Sequence, residues 1–204
     1  MTTIRWGLCL LLATVFMSTP AFAQKKGVLR ISGDNAWVAY VDGNKVAEGN
    51  NWQAPTVTNF DLNSGRASVA IYVHDAEPAA AGRGGVLADI VLDNKTYVGT
   101  GDEDWKCDKS LNKPDRKDGW EKANFDDKKW EEPMKYEQFG GGIWGFGAAA
   151  MRLILKDPDC TAFWVWCGPN DGADDIYFRY QIGTLPVEPK GRLTTVWATI
   201  KTKT

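Results

Sequence analysis

Residues 31–52 constrain the fold more than any other part of the chain. They read ISGDNAWVAYVDGNKVAEGNNW, with apolar residues alternating along 36–41 ahead of the dipeptide Asp42-Gly43. Asp-Gly supplies the positive φ angles that a two-residue hairpin turn requires, and the alternation turns one strand face towards a core. The segment therefore predicts a β-hairpin followed by a polar loop that carries Trp52.

The rest of the chain continues this pattern of short apolar runs separated by turn residues. Val, Ile, Thr, Tyr and Trp are frequent in the runs, whereas Gly, Asn and Asp are frequent in the breaks. A short turn near 120–127 is the longest helical candidate. Many short strands without helices between them predict an all-β sandwich or barrel. The predicted strands are 27–32, 36–41, 45–48, 56–62, 67–74, 85–92, 97–100, 148–156, 162–166, 176–182 and 194–201.

The first 23 residues predict export. Arg5 precedes an apolar segment at 8–17, and Ala21-Phe22-Ala23 forms a small-x-small cleavage site, which is the pattern of a secretory signal peptide. The apolar segment is too short to span a bilayer comfortably, so an uncleaved anchor is the less favoured alternative. We expect a mature chain that is secreted to the extracellular space or the periplasm.

The charge of the mature chain argues against two classes of partner. It would carry 23 basic residues (24 less Arg5) against 26 acidic ones, a net charge of −3. A binding surface for nucleic acid or for an anionic membrane needs an excess of clustered Lys and Arg, and here these residues are scattered.

Three cysteines follow the signal segment: Cys107, Cys160 and Cys167. An odd number predicts one disulfide with a leftover thiol, an intermolecular bridge, or no bridge. An extended run separates Cys160 from Cys167 and would hold them too far apart to bond, so a bridge from Cys107 to either one is at least as favoured. The absence of a C-x-x-C motif and the presence of a single His argue against zinc.

Acidic residues cluster at 102–104, 126–127 and 171–175, next to glycines in two of the three cases. Calcium prefers six to eight oxygen ligands, and acidic loops can supply them, so one structural Ca²⁺ is compatible with this sequence. The alternative for each cluster is a solvated acidic loop.

Several side chains suit a carbohydrate site. Trp52, Trp105 and Trp144 each lie beside polar or glycine-rich loop residues, where a ring could stack on a sugar. Asp75 and Arg83 flank a Gly/Ala loop and could bind sugar hydroxyls through charge-assisted hydrogen bonds; the alternative is a salt bridge that fixes the loop. Core packing is the alternative for every tryptophan, and the strand pattern favours it for Trp37, Trp164 and Trp166, as the turn context does for Trp130.

A series of short motifs occurs in one consistent order over residues 28–145. They are Asp34-Asn35, the aromatic strand 37–41, the turn 42–44, the G-x-x-W stretch 49–52, the strand end 72–75, GGVLA at 84–88, DEDWK at 102–106, Gly119-Trp120 and FDDKKW at 125–130. This order resembles that of the galactose-binding-like modules found beside secreted bacterial glycosidases such as α-L-rhamnosidases.

The resemblance implies a single jelly-roll β-sandwich of antiparallel strands that binds carbohydrate without hydrolysing it. It places the ligand at loops on one rim, and structural calcium is common in such modules. The implied contact residues are Asp34, Asn35, Trp52, Asp75, Arg83 and Trp105. One departure is that FWVW at 163–166 and YFRY at 177–180 resemble strands that open the enzymes' modules but lie near the end here. Either they close the same sandwich or the module is permuted.

We therefore expect a signal peptide at 1–23, one sandwich at 24–182 and a C-terminal tail at 183–204 that could add a strand. The expected function is non-catalytic, lectin-like binding of a carbohydrate or glycoconjugate, with no catalytic residue. The alternative is a structural or adhesive extracellular protein of the same fold. Convergence of Trp52, Asp75 and Trp105 on one rim would favour the first, and their burial or dispersal the second.

Overall fold

The computed structural model describes residues 25–62, 66–77, 83–110, 116–139 and 160–183, and every structural statement below concerns these residues. They contain strands and turns but no helix. The strands are β1 Lys25–Asp34, β2 Ala36–Val41, β3 Asn44–Gly49, β4 Thr56–Leu62, β5 Ala67–His74, β6 Gly85–Leu92, β7 Lys95–Gly99, β8 Lys106–Asp108, β9 Met134–Gln138, β10 Phe163–Trp166 and β11 Asp175–Ile182.

The strands form two antiparallel sheets that pack as a sandwich, which confirms the predicted fold class. Sheet A has the order β4-β1-β6-β10-β9, with β7 pairing separately with β6, and sheet B has the order β3-β2-β5-β11-β8. The predicted hairpin is β2–β3, and its turn has positive φ at Asp42 (50°) and Gly43 (83°). Strands β10 and β11, which carry the FWVW and YFRY runs, join this same sandwich.

The core lies between the sheets because alternate residues of each strand point inward. On β6, Val86, Ala88 and Ile90 are fully buried in this core, and from sheet B Ile71 and Phe178 meet them. Full burial of a large apolar side chain contributes about 1.5–3 kcal/mol, so this layer supplies much of the stability. Core positions were also predicted for three tryptophans, and all three are buried: Trp37, Trp164 and Trp166.

The outer face of sheet A is also occupied. Leu87 and Trp164 pack there in a cluster separate from the central core, with Trp52 against them. Nearby, the side chains of Arg30 and Asp89 form a buried two-point ion pair, with 2.6 Å between Nε and Oδ1. Removing one partner of such a pair costs about 3–5 kcal/mol because the other charge stays buried.

The segment 116–130 packs on the outer face of sheet B. Trp120 contacts Tyr177 of β11 at 4.8 Å between ring centroids, and the Arg116 guanidinium lies 5.1 Å from the Trp130 ring centroid and 5.3 Å from that of Tyr177. The region near 120–127 folds as two successive turns, closed by the N–H groups of Lys122 and Phe125, and not as a helix. Asn and Asp side chains in it compete for backbone hydrogen bonds and favour turns.

One disulfide joins the two sheets. Cys107 in β8 bonds to Cys167, just after β10, with 5.7 Å between the Cα atoms. This settles the alternatives in favour of a bridge from Cys107, and Cys160 is free. Burial, together with the charge of Asp89, raises the pKa of the Cys160 thiol to about 12, so this thiol stays protonated and unreactive at neutral pH.

Some expectations were incomplete or lie outside the described residues. Strands β8 and β9 were not predicted, because neither shows a clear alternation of apolar and polar residues. The signal peptide at 1–23, the strands at 148–156 and 194–201, and Trp144 fall in parts of the chain that the structure does not describe. Among the described residues, no helix is long and apolar enough to cross a membrane.

Candidate functional site

One end of the sandwich gathers most of the predicted contact residues, and we call this end the β1–β2 rim. There β1 ends at Asp34 opposite Gly85, the first residue of β6. In sheet B, His74 at the end of β5 pairs with Ala36 on one side and Asp175 on the other. The short link between β1 and β2 therefore joins the two sheets at this end.

Asn35 organises the rim through both its backbone and its side chain. Its N–H donates to the His74 carbonyl oxygen at 3.0 Å, and its Oδ1 accepts from the Ala76 N–H at 2.7 Å. Its Nδ2 donates to Oδ1 of Asp34 at 2.8 Å. These bonds fix the directions of the Asn35 amide and the Asp34 carboxylate before any ligand arrives.

Asp75 lies in the same network but is only 6% exposed. Its N–H donates to the Asp174 carbonyl at 2.8 Å, and its Oδ1 accepts from the Glu77 N–H at 3.0 Å. Burial raises the pKa of Asp75, although the bond from Glu77 opposes the shift. Much of this carboxyl's hydrogen-bonding capacity therefore goes into shaping the loop.

Arg83 is exposed at the other end of the Gly/Ala loop. The next residue, Gly84, donates its N–H to the Asn170 carbonyl at 2.9 Å, which ties the loop to the segment before β11. Across the described part of the chain, no ion pair joins Arg83 to Asp75, so the predicted alternative of a loop-fixing salt bridge does not form. Among the described residues, the Arg83 guanidinium has no ion-pair partner.

Trp52 lies on the sheet A side of the rim. The Ser32 hydroxyl donates to its carbonyl oxygen, two residues before Asp34 on β1. Its ring packs edge-on against Trp164, with 6.3 Å between centroids and 82° between planes. The side chain is partly exposed, so part of the ring can still meet a ligand.

Trp105 does not join the rim. It is 1% exposed and packs on Tyr180, with 5.2 Å between ring centroids. Tyr180 is five residues along β11 from Asp175, which at the usual strand rise is about 17 Å from the rim. The acidic residues before Trp105 suggested an exposed loop, but the ring is buried among core residues. A ligand cannot reach it, and we leave Trp105 out of the proposed contacts.

The sequence did not single out one group of rim residues: Tyr72, His74 and Asp175. The Tyr72 hydroxyl donates to Oδ1 of Asp175 at 2.5 Å, and Nδ1 of His74 lies 2.9 Å from the same oxygen. Their pairing depends on the register between β5 and β11, about 100 residues apart in the chain. Only a prediction of that register could have brought them together.

Two shallow clefts lie away from the rim, beside the segment 116–126. One, of about 360 Å³, is bordered by Tyr40, Gly43 and Trp120. The other, of about 410 Å³, is bordered by Asn124, Phe125 and Asp126. Lys117 and Lys122 border both clefts. Arg116 and Glu121 also border the first cleft, which therefore has more basic than acidic residues, whereas Asp118 and Asp126 balance the two lysines in the second.

The acidic clusters do not assemble a metal site in the part of the chain that is described. Over those residues, no three side chains of His, Cys, Asp or Glu come together in a way that could hold a metal ion. The structural calcium with which the sequence was compatible therefore has no set of carboxylate ligands among them.

Comparison with known proteins assigns no family. No family model and no curated protein matches the chain. One similar solved structure is the apo form of Pleurotus ostreatus lectin, at 18% sequence identity and a TM-score of 0.49. The match covers 60% of this chain and 35% of that chain. At this level of similarity the match assigns no function.

Proposed function

We propose that this chain is an exported, non-catalytic protein that binds carbohydrate at the β1–β2 rim. The contacts would come from Asp34, Asn35, Asp75 and Arg83, with Trp52 at the sheet A side. The observation that supports this best is the hydrogen-bonded arrangement around Asn35, which orients an amide and a carboxylate at one end of the sandwich.

The chemistry of these groups suits sugar hydroxyls, which both donate and accept hydrogen bonds. Carboxylates accept, the guanidinium of Arg83 donates, and an amide can do both, so together they can satisfy a pair of neighbouring hydroxyls. Orientation before binding reduces the entropy that a ligand must overcome. The partly exposed ring of Trp52 offers an apolar surface for the C–H groups of a sugar.

Export agrees with the predicted signal peptide and with the disulfide. Structural disulfides persist in oxidising compartments and are rare in the cytosol. The bridge between Cys107 and Cys167 links the two sheets, which is the role of a structural disulfide. The resemblance to galactose-binding-like modules is part of this proposal and remains a prediction.

A structural or adhesive role is the second candidate, and two observations favour it. Trp105 is buried far from the rim, so the predicted convergence of aromatic residues is incomplete. Oδ1 of Asn35 and Oδ1 of Asp75 already accept hydrogen bonds from backbone N–H groups. These atoms would serve the loops alone if no sugar bound.

A glycan array probed with the purified protein, in calcium and again in EDTA, tests the proposal. We expect binding to a narrow set of glycans, with affinity lowered about tenfold by Arg83→Ala or Trp52→Ala, because each removes one principal contact. Arg66→Ala is the matched control, since Arg66 is also exposed but precedes β5 at the opposite end of the sandwich. Loss of binding in EDTA would show that an ion holds the site. No binding by folded protein in either buffer would refute the proposal and favour the structural role.

A further inference from the structure

A strip on the outer face of sheet B lies between the rim and the packed segment 116–130. Tyr72 and His74 of β5 point to this face, as do Ala36 and Val38, their partners on β2. All four side chains are partly exposed. The strip is therefore accessible to a ligand and continuous with the rim through the bond between Asn35 and His74.

Asp175 fixes the imidazole of His74 in one orientation. The Asp175 side chain is 9% exposed, whereas that of His74 is 40% exposed. Oδ1 of Asp175 accepts from the Tyr72 hydroxyl and lies 2.9 Å from Nδ1 of His74. Because a carboxylate oxygen can only accept, Nδ1 carries the hydrogen, and Nε2 of the neutral ring is an acceptor. No described residue bonds to Nε2.

The Tyr72 ring is held by the ring of its cross-strand partner on the same face of sheet B. It packs on Tyr177, with 5.2 Å between centroids and 39° between planes, and Tyr177 in turn contacts Trp120 at 4.8 Å. Burial and the hydrogen bond to Asp175 raise the pKa of Tyr72, so its hydroxyl stays protonated and keeps donating. On β2 the partners of His74 and Tyr72 are Ala36 and Val38, whose side chains are smaller than the tyrosine and histidine rings beside them.

We propose that Tyr72 and His74 form a subsite for a neutral sugar on the outer face of sheet B. A sugar ring lies against the Tyr72 ring, and one of its hydroxyls donates to Nε2 of His74. Asp175 acts as a positioning residue that holds the imidazole. This inference rests on the proposed carbohydrate binding and extends it beyond the rim.

Charge favours a neutral ligand over an acidic one. Asp75 follows His74 directly, and Glu77 lies close enough to Asp75 for their charges to interact. These carboxylates would repel a uronic acid or a sulfated sugar at the same position. A neutral sugar carries no such penalty.

His74 is the only histidine in the chain, so its imidazole can be observed without assignment. The test is a titration of protein labelled with ¹⁵N-histidine, purified without a polyhistidine tag, with neutral monosaccharides, glucuronate and any glycans that bind on the array. Hydrogen bonding to Nε2 changes its ¹⁵N chemical shift. We expect a saturable change with a neutral sugar and none with glucuronate.

Variants then separate the subsite from the rim. His74→Ala and Tyr72→Ala should each weaken binding about tenfold, whereas His74→Gln, which keeps an acceptor, should recover part of the loss. Arg66→Ala serves again as the control. If any of these variants fails to fold, the titration of the unsubstituted protein still decides the question.

The outcomes distinguish the two proposals. Glycan binding that leaves the His74 signal unchanged and survives His74→Ala overturns the subsite but not the rim. Glycan binding that shifts the signal and is lost in both alanine variants supports the subsite. No response on the array and none in the titration, from folded protein, overturns both.

Discussion

Removing the Cys107–Cys167 disulfide should destabilise the fold strongly. The cleanest perturbation is Cys107→Ala with Cys167→Ala in a Cys160→Ala background, compared with Cys160→Ala alone. The Cys160→Ala background removes the free thiol among the described residues, which could otherwise form a non-native disulfide in the unfolded chain.

The magnitude follows from the length of chain that the bridge closes. The two cysteines are 60 residues apart. For a loop of this length, the loss of entropy in the unfolded chain amounts to about 4 kcal/mol at 25 °C. Both cysteines are at most 1% exposed, so the missing sulfur atoms also leave a small cavity worth about 1 kcal/mol. The expected loss in the free energy of unfolding is therefore about 4–5 kcal/mol.

Urea unfolding followed by tryptophan fluorescence measures this loss. The dependence of unfolding free energy on urea should also steepen, because an unbridged unfolded chain exposes more surface. A loss below about 1 kcal/mol with an unchanged slope would refute the chain-entropy argument. A non-reducing peptide map that places Cys160 in the bridge would refute the pairing itself.

Two further predictions concern packing and ionisation. Gly84→Ala would place its Cβ 2.4 Å from Cζ2 of Trp166 and should cost about 1–3 kcal/mol in urea unfolding, whereas Gly183→Ala meets nothing within 4 Å and should change stability by less than about 0.5 kcal/mol. Burial raises the pKa of the Asp75 carboxyl above its usual 3.8, so the folded state binds the carboxyl proton more tightly than the unfolded state does. The free energy of unfolding therefore falls as pH rises from below 3.8 through the raised pKa. The difference in unfolding free energy between Asp75→Asn and the parent should therefore shift in favour of the variant from pH 3 to pH 7, because Asn stays neutral. An equal difference at the two pH values would contradict this explanation.

Local sequence signals predicted most of the sandwich because its strands are short, alternating and bounded by strong turn residues. The bounds of β2, β4, β5 and β6 match the predicted strands, and the Asp42-Gly43 turn forms as expected. β8 consists of three residues, so it offers too few positions for a pattern to show. Its strand conformation depends on pairing with β11, which is a long-range contact.

The sequence predicted only part of the candidate site, because local motifs were visible in it and long-range pairing was not. The order of motifs placed Asp34, Asn35 and Asp75 together, and the structure brings them to one rim. Trp105 shows the limit of a local argument: its acidic neighbours are exposed, but the ring turns into the core. The register between β5 and β11 decides that His74 meets Asp175, and a single sequence does not contain that information.

The outer faces of the two sheets narrow the choice of binding surface. Across the described residues, the outer face of sheet A carries the buried pair Arg30–Asp89 and the cluster around Trp164. Segment 116–130 covers much of the outer face of sheet B. Arg116 lies among three aromatic rings of that layer, so the segment cannot lift without exposing them. Packing thus occupies part of each outer face, whereas the outward-facing residues of the edge strand β4, Val57 among them, are exposed. The rim and the adjoining strip of Tyr72 and His74 combine oriented polar groups with accessible aromatic surface, and for that reason we propose them as the surface that binds carbohydrate.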